Sequence, residues 1–93
     1  MIRSFACADT EALFHSRSVS RFRSTERVAR RRLLQIHAAT GLASLRVPPG
    51  SRLEALKAGR KGQHGISINH RWRICFVWRD GNAYDVEFVD YHG

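Results

Sequence analysis

The chain ends on Asp90-Tyr91-His92, with only Gly93 beyond. An acid, a phenol and an imidazole in succession can move protons near neutral pH, and the imidazole is the best matched of the three. A chain end also frays without doing chemistry, so the triplet needs partners elsewhere. Two features offer them. Lys57-Ala58-Gly59-Arg60-Lys61-Gly62-Gln63-His64 places three cations within five residues, and Gly59 and Gly62 permit close backbone approach. Such a loop either holds a phosphodiester or is simply solvated; it lacks the GxxxxGK[ST] order of a P-loop. Arg73, set among Trp72, Ile74 and Phe76, either pairs with Glu87 or Asp85 or faces a groove and steadies phosphate charge. His64 and His70 flank a strand and can touch a substrate, though exposure at a strand edge is the simpler reading. His15 and His37 lie in helical surroundings and read as surface or half-buried residues.

These groups must be positioned by an α+β scaffold. Met1 to Phe5 is a short strand candidate. Asp9 suits an N-cap for a brief helix through Phe14, with Glu11 in its first turn. Ser16 to Ser24 reads as a Ser- and Arg-rich loop. Ser24 or Thr25 then caps a long helix ending before Gly41, in which Ala29, Leu33, Ile36 and Thr40 form an apolar stripe and Arg27, Arg30, Arg31 and Arg32 cover the rest. A short turn at Leu42 to Leu45 leads to Pro48-Pro49-Gly50, which breaks regular structure, and Arg52 to Ala58 is ambiguous.

Three strands follow, at His64 to Asn69, Arg71 to Arg79 and Ala83 to Tyr91, the last two joined at Asp80-Gly81-Asn82, a strong hairpin signal. Trp72, Ile74, Phe76 and Trp78 share one side and read as core. The expected architecture is a short N-terminal strand and two helices packed on one face of an antiparallel sheet. Strict alternation creates a tension: Asp90 and His92 fall on the core side with Val86 and Phe88, whereas Tyr91 and Arg73 fall opposite. Either the last strand bends or bulges near Val89, or only part of the set meets in one site.

Composition limits the partners. Ninety-three residues, 43% of them hydrophobic, make one packed domain over 1–93 with no room for a separate cofactor domain. The net charge is +8, and 14 of the 16 basic residues are Arg, whose planar fork fits phosphate and stacks on bases. All 16 lie before residue 80, whereas four of the eight acids crowd into residues 80–93. The Arg-rich helix face can bind ribosomal RNA or stay wet. No apolar run approaches a membrane span, and no secretory leader is apparent. Cys7 and Cys75 sit at no metal-ligand spacing; Cys75 reads as a small buried hydrophobe, and reduced thiols in a cytoplasmic protein are the expectation.

The order of several segments resembles the HigB toxins of the RelE/ParE superfamily, GraT-type members above all. The segments are Met1-Ile2-Arg3-Ser4-Phe5, Leu53-Glu54-Ala55-Leu56-Lys57-Ala58-Gly59, Gln63-His64, Trp72-Arg73-Ile74-Cys75-Phe76 and Val89-Asp90-Tyr91-His92. The resemblance spans essentially the whole chain. It implies a microbial-ribonuclease-like fold and a type II toxin that cuts mRNA in the ribosomal A site. It makes Lys57 and Arg73 stabilisers of the phosphate and transition state, and gives Asp90, Tyr91 and His92 the orientation of RNA and the proton transfer, with His92 as general acid or base. Arg60, Lys61, His64 and Glu54 would contact RNA; some members carry His where this chain has Glu54. A helix-turn-helix antitoxin would be the protein partner, in a complex able to bind its own operator. No cofactor is expected: attack by the RNA's own 2′-OH requires a base, cations on the phosphorus and an acid for the leaving oxygen, which this set supplies.

Two other classes fit parts of the pattern. A ParE-like gyrase poison would remain toxic after His92→Ala and provoke a DNA-damage response. A non-catalytic basic RNA-binding module would bind in a salt-sensitive way without cutting.

Overall fold

Alternating apolar residues make the C-terminal half a sheet, and a computed structural model places four strands in it. The structure describes residues 1–46, 53–56, 58–60 and 62–90. Pro48-Pro49-Gly50, Lys57, Lys61, Tyr91 and His92 lie outside them. The elements are helices α1 (Ala8–Phe14) and α2 (Glu26–Ala38) and strands β1 (Glu54–Ala55), β2 (His64–Ser67), β3 (Trp72–Arg79) and β4 (Asn82–Asp90). The sheet is antiparallel in the order β1-β2-β3-β4. The expected three-strand meander therefore gains a fourth, two-residue strand from the ambiguous stretch around Glu54. The N-terminal segment borders β4 through parallel bridges, Ile2 with Ala83 and Phe5 with Val86, as the short first strand anticipated.

Both helices cover one face of the sheet. Leu13 of α1 and Ala29, Leu33 and Ile36 of α2 pack onto Ile66, Trp72, Ile74, Phe76, Ala83, Val86 and Phe88. Three residues of the apolar stripe on α2 behave as its 3.6-residue period requires. Its fourth does not: Thr40 is exposed, because the chain leaves the helix at Ala38 and turns Ala39 inward. Helix α1 starts two residues earlier than expected, with Cys7 rather than Asp9 at its N-cap, and Asp9 sits in its first turn paired with Arg21 at 3.1 Å. The loop before α2 contains a 3-10 turn at Ser20–Phe22 that drives Phe22 wholly into the core. There its ring stands 4.7 Å from that of Phe88 and 5.5 Å from that of Trp72. Leu42–Arg46, expected as a plain turn, is a 3-10 helix.

The hairpin between β3 and β4 turns on Asp80 and Gly81, with φ of 52° and 77°, closed by the pair Arg79 and Asn82. Two positive φ values in a two-residue loop match the right-handed twist of the strands. The irregularity of β4 lies at Asp85 rather than near Val89. Between Cys75 and Val77 on β3, β4 moves from Glu87 to Tyr84, one residue too many, and Asp85 takes a φ of 53°. Ser4 holds the extra residue: the Asp85 N–H donates to Ser4 Oγ at 2.8 Å. This bulge keeps Ala83 and Val86 on the same, helix-covered face despite the odd spacing between them.

Candidate active site

Strand register sorts the candidate residues onto two faces. Glu54 lies opposite Gly65, Gly65 opposite Cys75, and Cys75 opposite Glu87. These four positions make one row across all four strands, on the face away from the helices. Carboxylates stand at both ends of the row and a thiol near its middle. The next row contains Ser67, Arg73 and Val89.

Each carboxylate of the row holds an arginine. Arg73 pairs with Glu54, and not with Glu87 or Asp85 as its position along the strand suggested. Glu87 is taken instead by Arg60, which reaches across from the turn after β1 with both terminal nitrogens 3.3 Å from Oε1. The same arginine donates to Gln63 Oε1 at 3.1 Å. Beneath these charges Cys75 is fully buried. Burial pushes its thiol above the usual range, and Glu87 adds to the rise, while Arg60 and Arg73 oppose it. Cys75 is thus an inert packing residue, as its strand setting implied, and both cysteines are free thiols.

Gly65 belongs to this row for a steric reason. A Cβ there would lie 3.1 Å from Leu56 Cδ2, so any larger residue would push Leu56, which folds over the strand, aside by a few tenths of an ångström. Leu56 is itself fixed by its N–H, which donates to the Gln63 carbonyl at 2.9 Å. The turn that carries Arg60 is anchored in this way at its base.

Asp90 occupies the end of β4 opposite Trp72, in the row beside that of Arg73 but on the other face. Its carboxylate accepts from Arg71 Nε at 2.8 Å. The Arg71 guanidinium lies 5.5 Å from the Trp72 ring. Arg71 is a partner that strand alternation does not reveal, since it precedes β3 and reaches over the sheet end. The signal available was the register itself, once Trp72 and Asp90 are known to face each other. Asp90 and Arg73 therefore approach one end of the sheet from opposite sides, and the bulge at Asp85 does not bring them to one face.

His64 departs from the other candidates. It faces Phe76 on the helix-covered side, its ring stacked on the phenyl at 6.1 Å. It is half-buried rather than exposed at a strand edge, and among the described residues its buried Nδ1 has no hydrogen-bond partner. His37 is also half-buried, its Nδ1 accepting from the Ile2 N–H at 3.1 Å. His15 and His70 are exposed.

A sequence description of one toxin family, "RelE-like toxin of type II toxin-antitoxin system HigB", matches residues 9–92. The chain belongs to the HigB-like toxins. It is 38% identical over 69 residues to "Toxin HigB-1" of Vibrio cholerae, covering 74% of this chain and 72% of that protein. It is 39% identical over 41 residues to "Endoribonuclease HigB" of Proteus vulgaris, covering 44% of this chain and 45% of the relative. Among solved structures, a YoeB–YefM complex from Staphylococcus aureus contains a chain similar in fold, with a TM-score of 0.56 at 14% identity, covering 100% of this chain and 99% of that one. The heterotetrameric form of that complex matches at a TM-score of 0.57, also at 14% identity. The expected α+β fold of this toxin superfamily is the fold observed. Among the described residues of this HigB-like chain, no helix is long and apolar enough to cross a membrane.

Proposed function

We propose that this HigB-like toxin is a ribosome-dependent endoribonuclease that cuts mRNA in the A site and so arrests translation. The observation that supports this best is Arg73. Its side chain is only 22% exposed, on the sheet face that the helices leave uncovered, one row from the strand end that leads into Tyr91 and His92. A cation fixed by a strand stabilises charge on phosphorus without reorganising during the reaction. The relative from Proteus vulgaris, named an endoribonuclease, points to the same chemistry.

In the proposed reaction the RNA 2′-oxygen forms a bond to phosphorus while the bond from phosphorus to the 5′-oxygen breaks. The proton leaves the 2′-hydroxyl and a proton arrives on the departing 5′-oxygen. His92 carries the decisive transfer, Asp90 supports it, and Tyr91 orients the strand. Lys57 and Arg73 balance the charge on the pentavalent phosphorus, and Arg60 and Lys61 guide the neighbouring backbone. His64, turned toward Phe76, stands apart from this path. No step draws on a metal ion. A helix-turn-helix antitoxin is the proposed protein partner; the YoeB–YefM complexes are toxin–antitoxin assemblies.

The products test the route. Message cut in a translating extract should bear 2′,3′-cyclic phosphates and 5′-hydroxyls, read by whether the new 5′ ends need kinase before ligation. Ends carrying 5′-phosphate would contradict attack by the 2′-hydroxyl.

A further inference from the structure

On the uncovered face Arg60 and Arg73 are each already held by a carboxylate, although the whole chain carries +8, whereas Arg79 on the same face lies over the Tyr84 ring. The two pairs are not built alike. Arg60 and Glu87 are equally sheltered, at 31% exposure each, and Gln63 adds a second acceptor to the guanidinium. In the other pair Arg73 is 22% exposed and Glu54 51%. The acid is the outer member and the cation the inner one. An anion arriving from solvent meets the Glu54 carboxylate first and competes with it for Arg73.

Resting on the reading of Arg73 as the phosphate cation, we propose that Glu54 is a counter-charge that occupies Arg73 when RNA is absent, so that a backbone phosphate binds there by exchange. Glu54 sits on the two-residue β1 at the sheet edge, where its side chain can swing outward without disturbing the sheet. A free phosphate ion must displace the carboxylate with nothing gained elsewhere. A strand whose neighbouring phosphates already rest on the basic surface delivers the next one at high effective concentration. The exchange therefore selects polynucleotide over mononucleotide or inorganic phosphate. It also keeps Arg73 from collecting stray anions.

The test titrates a 2′-O-methyl RNA trinucleotide, which cannot be cut, and separately inorganic phosphate. The Arg73 Nε–Hε resonance is followed in the intact chain, in Glu54→Gln and Glu54→Ala, and in Glu11→Gln as a charge control on α1, behind the other face. A partly exposed ion pair contributes little, so losing Glu54 should tighten trinucleotide binding roughly two- to fivefold. Inorganic phosphate should then reach Arg73 at concentrations that leave the unmodified chain unshifted. Unchanged or weaker binding in both Glu54 variants, or an equal gain in Glu11→Gln, would overturn the proposal. So would a tenfold or greater fall in the saturating cleavage rate of Glu54→Gln, which would make Glu54 a proton carrier. If the unmodified chain cuts no message at all, the nuclease reading fails on its own, and the titration still decides the exchange.

Discussion

At the scale of single residues, the proposed chemistry depends on a guanidinium set on a sheet face. Arg73 is fixed by β3, flanked by Glu54, and set one row from the end of β4. Removing a fixed charge that a transition state needs typically costs about 10²–10³ in rate. Arg73→Ala should therefore reduce single-turnover cleavage on translating ribosomes by about that factor. Its thermal midpoint should barely move, because the Glu54 left behind is half exposed and readily solvated. Arg73→Lys should recover only part of the rate, since a point charge replaces a planar fork. A slow, destabilised Arg73→Ala would instead make the arginine a structural residue.

At the scale of elements, much of the architecture can be read from the residues, and the exceptions have physical causes. Period-two alternation identified β3 and its core side, and Asp80-Gly81 fixed the hairpin, because two positive φ values leave few alternatives. Phe22 was hidden in a Ser- and Arg-rich stretch; a three-residue turn buries it, and no periodicity marks a single inward residue. The bulge at Asp85 was legible only as a contradiction in alternation, and its position depends on Ser4, a residue 81 positions away. The partner of Arg73 was missed for a related reason. Glu54 arrives from a strand of two residues, too short to show any period. Gly65 is the point where these elements depend on one another. Gly65→Val should drive a side chain into Leu56 and destabilise the fold by about 1–3 kcal/mol in chemical denaturation. It should also weaken RNA binding by loosening the segment that carries Arg60. A Gly65→Val chain as stable as the parent would show that Leu56 has room to move.

At the scale of the whole molecule, charge is the dominant feature. The four acids of the last fourteen residues and the arginines elsewhere leave a surface with +8 overall. Binding to single-stranded RNA should weaken steeply with salt, with log affinity falling by about 0.7 per decade of salt for each phosphate neutralised. Arg60→Ala should flatten that slope by about one such step. An affinity insensitive to salt would remove the electrostatic basis of the account.

In the proposed reaction Asp90, Tyr91 and His92 act on a message held at Arg73 within the ribosome. Primer extension on a defined mRNA in a purified translation system tests it most directly, with one arm lacking ribosomes and another using His92→Ala. New 5′ ends that require ribosomes and disappear with His92→Ala are the predicted result. Growth arrest in cells with no cut message in the extract would contradict it and turn attention to gyrase.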